Sequence, residues 1–387
     1  MPEDKIVITG LGVIASNGTG KDAFFDGIFG GLSGIKPISL FDASHLKAKS
    51  AGQIKDFSAQ EFLGAKGLRT LDRSTKLAAS AAKMALDDAG LVITEENSRD
   101  VGIAVGSTLG SIKSISDFDR EALTEGPRYV NPALFPNTVI NSPASQVSIR
   151  FNIKGFNATL STGFSAGLDA INYAVDMLKA QRAKVVLAGG VEELCLQTFL
   201  GFYKCGFLAG AEGRGGFILG EGAAILVLEA LSSALKRKAH IYACVDGFGN
   251  AFDSSYNPQA EGLKKSMCLA LDQAQINAQD IDYICSGANS SLDVDAMEAV
   301  AIKDVFGAGV QELKISSIKP MIGECFSAGG ALQAAAAVGA LERQAVPPTI
   351  NYREKGPACD CQISSALLNA FGPSGCNSSM VISKFKG

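Results

Sequence analysis

The chain has 387 residues, a formal net charge of -4, 47% hydrophobic residues and only 19% charged residues. This balance supports a large buried core and leaves little material for a disordered tail. The 35 basic residues do not outnumber the 39 acidic ones, which argues against nucleic-acid binding. The first five residues are charged rather than signal-like, and no apolar run reaches the roughly 18 residues of a membrane span. We therefore expect a cytoplasmic protein without membrane attachment, with small-molecule or protein partners.

The cysteines and histidines limit the available chemistry. Nine cysteines are scattered along the chain without a CxxC pair, and only His45 and His240 could supply imidazole. This pattern predicts reduced thiols that serve mainly as packing residues and no metal site. We also expect no cofactor. General base catalysis near neutral pH usually uses histidine, so a mechanism of that kind has two candidates at most.

Apolar runs that end in glycine alternate with helical patterns. Residues 6–10, 101–106 and 185–190 are continuous apolar runs closed by glycine, which is typical of strands covered on both faces. Residues 75–89 have apolar spacing near 3.6 and are followed by Gly90, which predicts a helix with a C-terminal cap. The alternation predicts an α/β architecture.

Two internal similarities indicate a duplication. The sequence ALDDA at residues 85–89 is repeated as ALDQA at residues 270–274, and each leads through a short loop into an apolar strand. Small-residue segments at 165–170 and 327–332 form a second pair, and each is followed by a late strand. Because the elements keep the same order, we predict two related halves that meet near residue 241.

Seven segments in order resemble one enzyme family. They are residues 6–13, 71–73, 146–157, 161–168, 216–229, 319–330 and 369–377. Over essentially its whole length the chain resembles the β-ketoacyl-acyl-carrier-protein synthases, the condensing enzymes of the thiolase fold. The resemblance implies a five-layered α/β/α/β/α fold of two duplicated halves, residues 1–241 and 242–387. It also implies dimerisation, through the strand after the nucleophile turn and its neighbours.

Three positions depart from the catalytic pattern of that family. Its enzymes use a cysteine on a tight strand-to-helix turn, where the helix N-terminus lowers the thiol pKa, and two histidines that stabilise an enolate. The nucleophile position here is Phe164, and the histidine positions are Gly287 and Glu324. Only Lys319 is retained. Neither phenylalanine nor glycine can perform nucleophilic or acid-base chemistry, so we predict that the ordinary condensing mechanism is absent.

This pattern resembles the chain-length factors, the inactive partners of condensing enzymes in aromatic polyketide and aryl-polyene pathways. Residues 323–330 are more similar to theirs than to the matching segment of active enzymes. The resemblance implies a partner subunit of an active ketosynthase in fatty-acid or polyketide biosynthesis. Many chain-length factors have glutamine at the nucleophile position, whereas Phe164 would fill the pocket with an apolar ring.

Two other functions stay open from the residues alone. Residues 163–167 match the G-x-S-x-G nucleophile elbow, so Ser165 is an alternative nucleophile for an acyltransferase or thioesterase. Cys285, Cys325 and Cys376 lie in motifs that line the family's pocket and are further candidates, although packing explains buried cysteines more often. The other alternative is a non-catalytic acyl-binding homodimer.

The resemblance also implies a substrate pocket and a carrier-protein partner. The implied pocket residues are Asn289, Ser291, Phe371, Gly372, Pro373 and Asn377. Asn289 and Ser291 stand where family threonines contact the phosphopantetheine arm of the acyl carrier protein. Pro373 replaces a mobile phenylalanine of the gating loop, and proline stiffens the backbone by fixing φ. We also predict a buried ion pair between Lys319 and Glu324.

Overall fold

The computed structural model describes residues 4–211, 215–254, 259–351 and 358–387. Within these ranges the strands are β1 (Ile6–Ala15), β2 (Gly18–Thr19), β3 (Lys36–Pro37), β4 (Ser50–Ala51), β5 (Val101–Gly106), β6 (Asn157–Leu160), β7 (Val185–Glu192), β8 (Gly222–Ala230), β9 (Ala243–Phe252), β10 (Tyr283–Cys285), β11 (Lys314–Ser316), β12 (Ala345–Val346), β13 (Cys359–Asp360), β14 (Ser365–Phe371) and β15 (Cys376–Ser383).

In the same ranges the α-helices are α1 (Lys21–Phe29), α2 (Ala59–Leu63), α3 (Arg73–Asp88), α4 (Ile112–Thr124), α5 (Ser142–Phe151), α6 (Ala166–Lys179), α7 (Leu196–Lys204), α8 (Leu231–Lys236), α9 (Glu261–Ala274), α10 (Leu292–Phe306), α11 (Lys319–Ile322) and α12 (Ser327–Arg343). None of these helices is both long enough and apolar enough to cross a membrane. In the described ranges no group of three or more His, Cys, Asp or Glu side chains is arranged to hold a metal ion.

The main strands repeat one topology twice. In the first half the order is β1-β8-β7-β5-β6, and in the second half it is β9-β15-β14-β10-β11. In each half the first two pairings are antiparallel and the last two pairings are parallel. Among the named strands in the described ranges, the two halves of the sheet pair where residues 6–8 of β1 meet residues 243–245 of β9. The predicted duplication is therefore confirmed, while the boundary at residue 241 stays a prediction.

Two central helices separate the two halves of the sheet. Helices α6 and α12 pack on each other and on strands of both halves, and residues 327–341 of α12 are all buried. The layers approach closely because glycines line the contact: a methyl group on Gly167 would lie 2.1 Å from the Ser327 carbonyl oxygen. Helix α3 covers β1 and β8 on one outside, and α9 covers β9 and β15 on the other. These layers confirm the expected α/β/α/β/α arrangement.

The strand expected to form the dimer contact is not free to do so. The strand that follows the nucleophile turn is β7, which lies between β5 and β8 and is buried along its length. Strand β6, which precedes the turn, forms the open edge of this half among the described strands. A partner strand could therefore pair with β6 but not with β7, and our expectation about the dimer strand was wrong on this point.

Candidate functional site

The turn that contains Phe164 leads from β6 directly into the central helix α6. Gly163 begins a single 3-10 turn with φ of +80°, a conformation that glycine adopts without strain. The Gly163 carbonyl accepts a hydrogen bond of 2.8 Å from Thr108 Oγ1, in the loop after β5. Phe164 is only 6% exposed. The turn is thus the tight strand-to-helix turn that the sequence predicted, but its central side chain is a buried ring.

Other phenylalanines surround the Phe164 ring. Its centroid lies 4.9 Å from that of Phe326, 6.1 Å from Phe217 and 6.3 Å from Phe202. Phe202 and Phe326 also stack on each other at 4.8 Å. Edge-to-face and offset pairs of this kind add to the stabilisation from apolar burial. The position that would hold a nucleophile is therefore part of a packed aromatic cluster.

Sequence reasoning missed most of this cluster. Phe202 lies outside the seven segments that resemble the family, and Phe217 and Phe326 lie inside two of them without a role that the sequence indicates. Phenylalanines are concentrated between Phe199 and Phe217, and that concentration was the available signal. It does not show that these rings meet Phe164 and Phe326, because the contacts join segments far apart along the chain.

Ser165 is fully buried and donates a hydrogen bond of 2.8 Å from its hydroxyl to Asp169 Oδ2. The other oxygen of Asp169 accepts hydrogen bonds of 2.6 Å from both Asn250 Nδ2 and Ser378 Oγ. This carboxylate therefore connects α6 to β9 and β15. Ser165 directly precedes α6, so its hydrogen bond to Asp169 anchors the start of this helix.

Neither histidine is part of this arrangement. His45 and His240 are both exposed. His240 Nε2 lies 3.3 Å from Glu342 Oε2, and its ring packs against Tyr242. The hydrogen bonds of the Ser165 hydroxyl involve Asp169 and Thr162, not imidazole. Among the described residues, the Ser165 hydroxyl therefore has a carboxylate but no histidine within hydrogen-bond distance.

Lys319 and Glu324 form the predicted buried ion pair. Lys319 Nζ lies 2.8 Å from Glu324 Oε2, and both side chains are almost completely buried. Asn289 Nδ2 donates to the same oxygen at 2.9 Å, and the Phe326 backbone N–H donates to Oε1 at 3.0 Å. Glu324 is thus satisfied on both oxygens. Its contacts hold neighbouring residues in place and leave neither oxygen without a donor.

The space beside Gly287 is filled. A methyl group on this residue would lie 2.5 Å from Cε1 of Phe371 and 2.8 Å from the carbonyl oxygen of Asn369. Real atoms do not approach so closely, so any side chain at residue 287 requires Phe371 to move. The Gly287 backbone N–H donates to Glu298 Oε1 at 3.0 Å. Burial raises the pKa of Glu298, although hydrogen bonds from Ser286 and Asn369 oppose that shift.

The cysteine candidates are poorly placed to act as thiolates. Cys325 is fully buried, and burial raises its pKa well above the usual value for a thiol. Burial also raises the pKa of Cys285 to about 12. Cys376 is partly exposed, and its pKa is raised by burial and by the nearby charge of Asp169. Because the thiolate is the reactive form, these surroundings disfavour nucleophilic chemistry at all three positions.

Five of the six predicted pocket residues line one cavity of about 390 Å³, which we call the front pocket. These residues are Ser291, Phe371, Gly372, Pro373 and Asn377. The sixth, Asn289, is buried and lies behind the pocket wall, where its side chain binds Glu324 and accepts a hydrogen bond of 3.1 Å from the Ser291 backbone. The structure thus brings five of the predicted pocket residues together at one cavity, and Asn289 contacts one of them from outside its lining.

A buried glutamate outside the predicted set positions the turn. Glu192, at the end of β7, accepts hydrogen bonds from the backbone N–H groups of Thr108 and Leu109 at 2.9 and 3.2 Å. It also accepts a bond of 2.6 Å from Ser327 Oγ, at the start of α12. Burial raises the pKa of Glu192 to about 7. This side chain joins the loop that holds Gly163 to the central helix, and neither the sequence motifs nor their spacing indicated that role.

Comparison with solved structures supports this fold. The ishigamide ketosynthase/chain length factor superposes with a TM-score of 0.91 at 30% identity, covering 99% of this chain and 100% of that one. A structure described as a type II PKS acyl-carrier protein in complex with its ketosynthase bound to the hexaketide gives 0.88 at 27% identity, with the same coverage.

Sequence comparison also finds similar proteins that align over nearly the whole chain. The chain is 34% identical over 411 residues to a 3-oxoacyl-[acyl-carrier-protein] synthase 2 of Coxiella burnetii, covering 99% of each. It is 32% identical over 414 residues to the protein of that name from Vibrio harveyi, again covering 99% of each. The family descriptions "Beta-ketoacyl synthase, N-terminal domain" and "Beta-ketoacyl synthase, C-terminal domain" match residues 3–234 and 242–353. With both domains matched in order, the chain belongs to the β-ketoacyl synthase family.

Proposed function

We propose that this chain is a catalytically inactive partner subunit of an active ketosynthase, similar to a chain-length factor. Its pathway would be fatty-acid or polyketide biosynthesis, of the aryl-polyene type. The observation that carries the proposal is the buried ring of Phe164 at the centre of the strand-to-helix turn. The likeness to the ishigamide ketosynthase/chain length factor supports it.

The chemistry at the other two positions agrees with this role. Residue 287 has no side chain, and the ring of Phe371 fills the space that a side chain would need. Both oxygens of Glu324 accept hydrogen bonds, and one also pairs with Lys319. A carboxylate engaged in this way is a poor substitute for an imidazole that must stabilise a transient negative charge.

The surface around β6 supports association with a partner. Helix α5 packs on β6 and carries Ile149, which is 73% exposed. The segment at residues 132–138 contacts α5 and exposes Phe135 (56%), and it also contacts α4, where Leu123 is 86% exposed. A concentration of exposed apolar side chains beside an open strand edge is typical of a surface that another chain covers. We propose that an active ketosynthase covers it, with a second copy of this chain as the alternative occupant.

We also propose that an acyl carrier protein is a partner of the complex. The front pocket keeps polar groups at its wall, among them Ser291 and Asn377. Asn377 Nδ2 donates to Asp253 Oδ2 at 3.1 Å and to the Gly375 carbonyl at 2.9 Å, which holds the loop after β14 in shape. The open pocket supports docking of a carrier-protein arm at this face, without chemistry on this chain.

Co-expression tests the partner role. This chain is produced with each ketosynthase encoded near its gene, and the complexes are separated by size-exclusion chromatography and identified by mass. We expect a heterodimer with one of them, and chain extension that needs both subunits. Exclusive homodimers would contradict the proposal and favour the acyl-binding homodimer.

A pair of surface variants shows whether the predicted face is used. Ile149→Asp places a charge on the apolar face beside β6, whereas Val92→Asp places one on an equally exposed residue (73% and 74%) outside that face. We expect Ile149→Asp to weaken the heterodimer by about tenfold or more and Val92→Asp to leave it unchanged. Equal effects of the two variants would contradict the assignment of this face.

A further inference from the structure

We infer that Phe164, Gly287 and Glu324 act together to close an apolar path through this chain. The protein's own aromatic rings fill this path, which could otherwise hold a long aliphatic chain. This inference rests on the proposed function, because it concerns where the acyl chain of the two-subunit complex lies. It treats the three positions as parts of one packed unit rather than as three separate losses.

The path joins two cavities. One buried apolar cluster contains Phe164, Phe217 and Phe326, and at its far end Leu194 and the partly buried Phe41. Both of these far residues also line a second cavity of about 720 Å³ between α3 and α4, which we call the rear pocket. At the near end, the ring of Phe207 lies 6.2 Å from that of Phe217 and lines the front pocket. Apolar side chains are therefore continuous from one pocket to the other.

Gly287 contributes by leaving room for another ring. Phe371 occupies the space beside it, as the 2.5 Å approach to a methyl group at residue 287 shows. The next residue, Gly372, lies directly against the Phe164 ring, since a methyl group there would be 2.6 Å from Phe164 Cγ. The absence of a side chain at residue 287 therefore allows the end of β14 to close over Phe164.

Glu324 contributes by holding Phe326 in an unfavourable conformation. Phe326 has φ of +47°, in the region where a bulky side chain is rare and strained. Its backbone N–H is bound at 3.0 Å by Glu324 Oε1, and Glu324 is itself fixed by Lys319 and Asn289. In this conformation the Phe326 ring packs on both Phe164 and Phe202. Glu324 is thus a positioning residue for the aromatic cluster.

The filled path determines where an acyl chain can bind. A buried path filled by rings excludes an aliphatic chain, whereas an apolar cavity opened in a protein core binds apolar molecules. In the proposed complex the growing acyl chain would then lie in the ketosynthase and at the contact between subunits, not in the core of this chain. Removal of one ring should convert this chain into a protein that binds a fatty acid.

Dodecanoic acid is the probe, and its binding to the purified chain is measured by isothermal titration calorimetry. We expect little binding to the unmodified protein and an affinity increased by about tenfold or more in Phe164→Ala and in Phe202→Ala. Phe24→Ala is the matched control, because Phe24 is fully buried in a different core cluster and lines neither the front nor the rear pocket. The control should create a cavity of similar size that has no connection to the path, so dodecanoate binding should not increase. If Phe164→Ala fails to fold, the half-buried Phe202 still provides the test.

Glu324 is tested by rescue. Glu324→Ala removes the acceptor that holds Phe326 and should increase dodecanoate binding. Glu324→Gln lowers stability because it leaves Lys319 unpaired, but it keeps an oxygen for the Phe326 N–H and should therefore keep dodecanoate binding low. A residue that only contributed charge to an ion pair would respond equally to both changes. The inference is overturned if the unmodified protein binds dodecanoate as tightly as the ring variants, or if neither ring variant binds it. Those outcomes are independent of heterodimer formation, which tests the proposed function.

Discussion

At residue 164 the sequence alone excludes a nucleophile, because the side chain is that of phenylalanine. The packing around it could not be foreseen, because Phe202, Phe217 and Phe326 reach Phe164 only after distant segments fold together. The pairing of Lys319 with Glu324 was predictable from their spacing in one motif. The contact between Glu324 and the Phe326 backbone was not, since a short motif does not reveal a positive φ.

The Lys319–Glu324 pair gives a prediction about stability. Removing one partner leaves a buried charge without compensation, so Lys319→Met or Glu324→Gln alone should lower the free energy of unfolding by about 3–5 kcal/mol. The double variant Lys319→Met, Glu324→Gln should lose less than the sum of the two, because no buried charge remains. Urea unfolding of the four proteins measures both quantities. Additive losses would show that the two side chains do not stabilise each other.

At the scale of elements, the sequence predicts a helix or strand correctly where contacts between residues close together in the sequence decide its bounds. The predicted helix at 75–89 is α3, which begins earlier, at Arg73, because Asp72 caps it by accepting a bond of 2.7 Å from the Thr75 backbone N–H. Gly90 follows its end with φ of +59°, as the sequence indicated. The dimer strand was assigned wrongly because the order of strands within a sheet is set by long-range packing.

Glu192 gives a prediction about pH at this scale, because it ties the loop after β5 to β7 and α12. Its pKa is raised from 4.5 to about 7, so the folded state binds a proton that the unfolded state releases between these values. The free energy of unfolding should therefore fall as pH rises through this range, by up to roughly 3 kcal/mol for this group. Glu192→Gln should reduce that slope in urea unfolding measured between about pH 5 and pH 8, leaving the part due to Glu193, whose pKa burial also raises to about 7.

Glu95→Gln is the matched control for the pH experiment. Hydrogen bonds from Lys154 and Asn152 lower the pKa of this exposed carboxyl below 4.5, so it is already ionised throughout the measured range. The control should keep the slope of the unmodified protein. A slope that is unchanged in Glu192→Gln would show that this carboxyl does not titrate with folding.

At the scale of the whole molecule, the duplication was visible in the sequence because each half repeats helix, loop and strand in one order. Strands β1 and β9 begin corresponding sheets, and the small-residue segments became the two central helices α6 and α12. The three changed positions come from different motifs, yet their neighbours meet in the fold. Phe326, which is bound by Glu324, and Gly372, which follows the ring beside Gly287, both contact the Phe164 ring. Their joint packing is a property of the assembled fold, which explains why the motifs showed the losses but not the closure.

The co-purified complex of this chain with an active ketosynthase provides the most direct test of whether this chain is catalytically inactive. The complex is incubated with acyl- and malonyl-loaded carrier protein, and the intact mass of each subunit is measured, followed by peptide mapping of any adduct. The account predicts an acyl adduct on the ketosynthase and none on this chain. A stable adduct on this chain, mapped to Ser165, Cys325 or another cysteine, would contradict it and identify an enzyme with a relocated nucleophile.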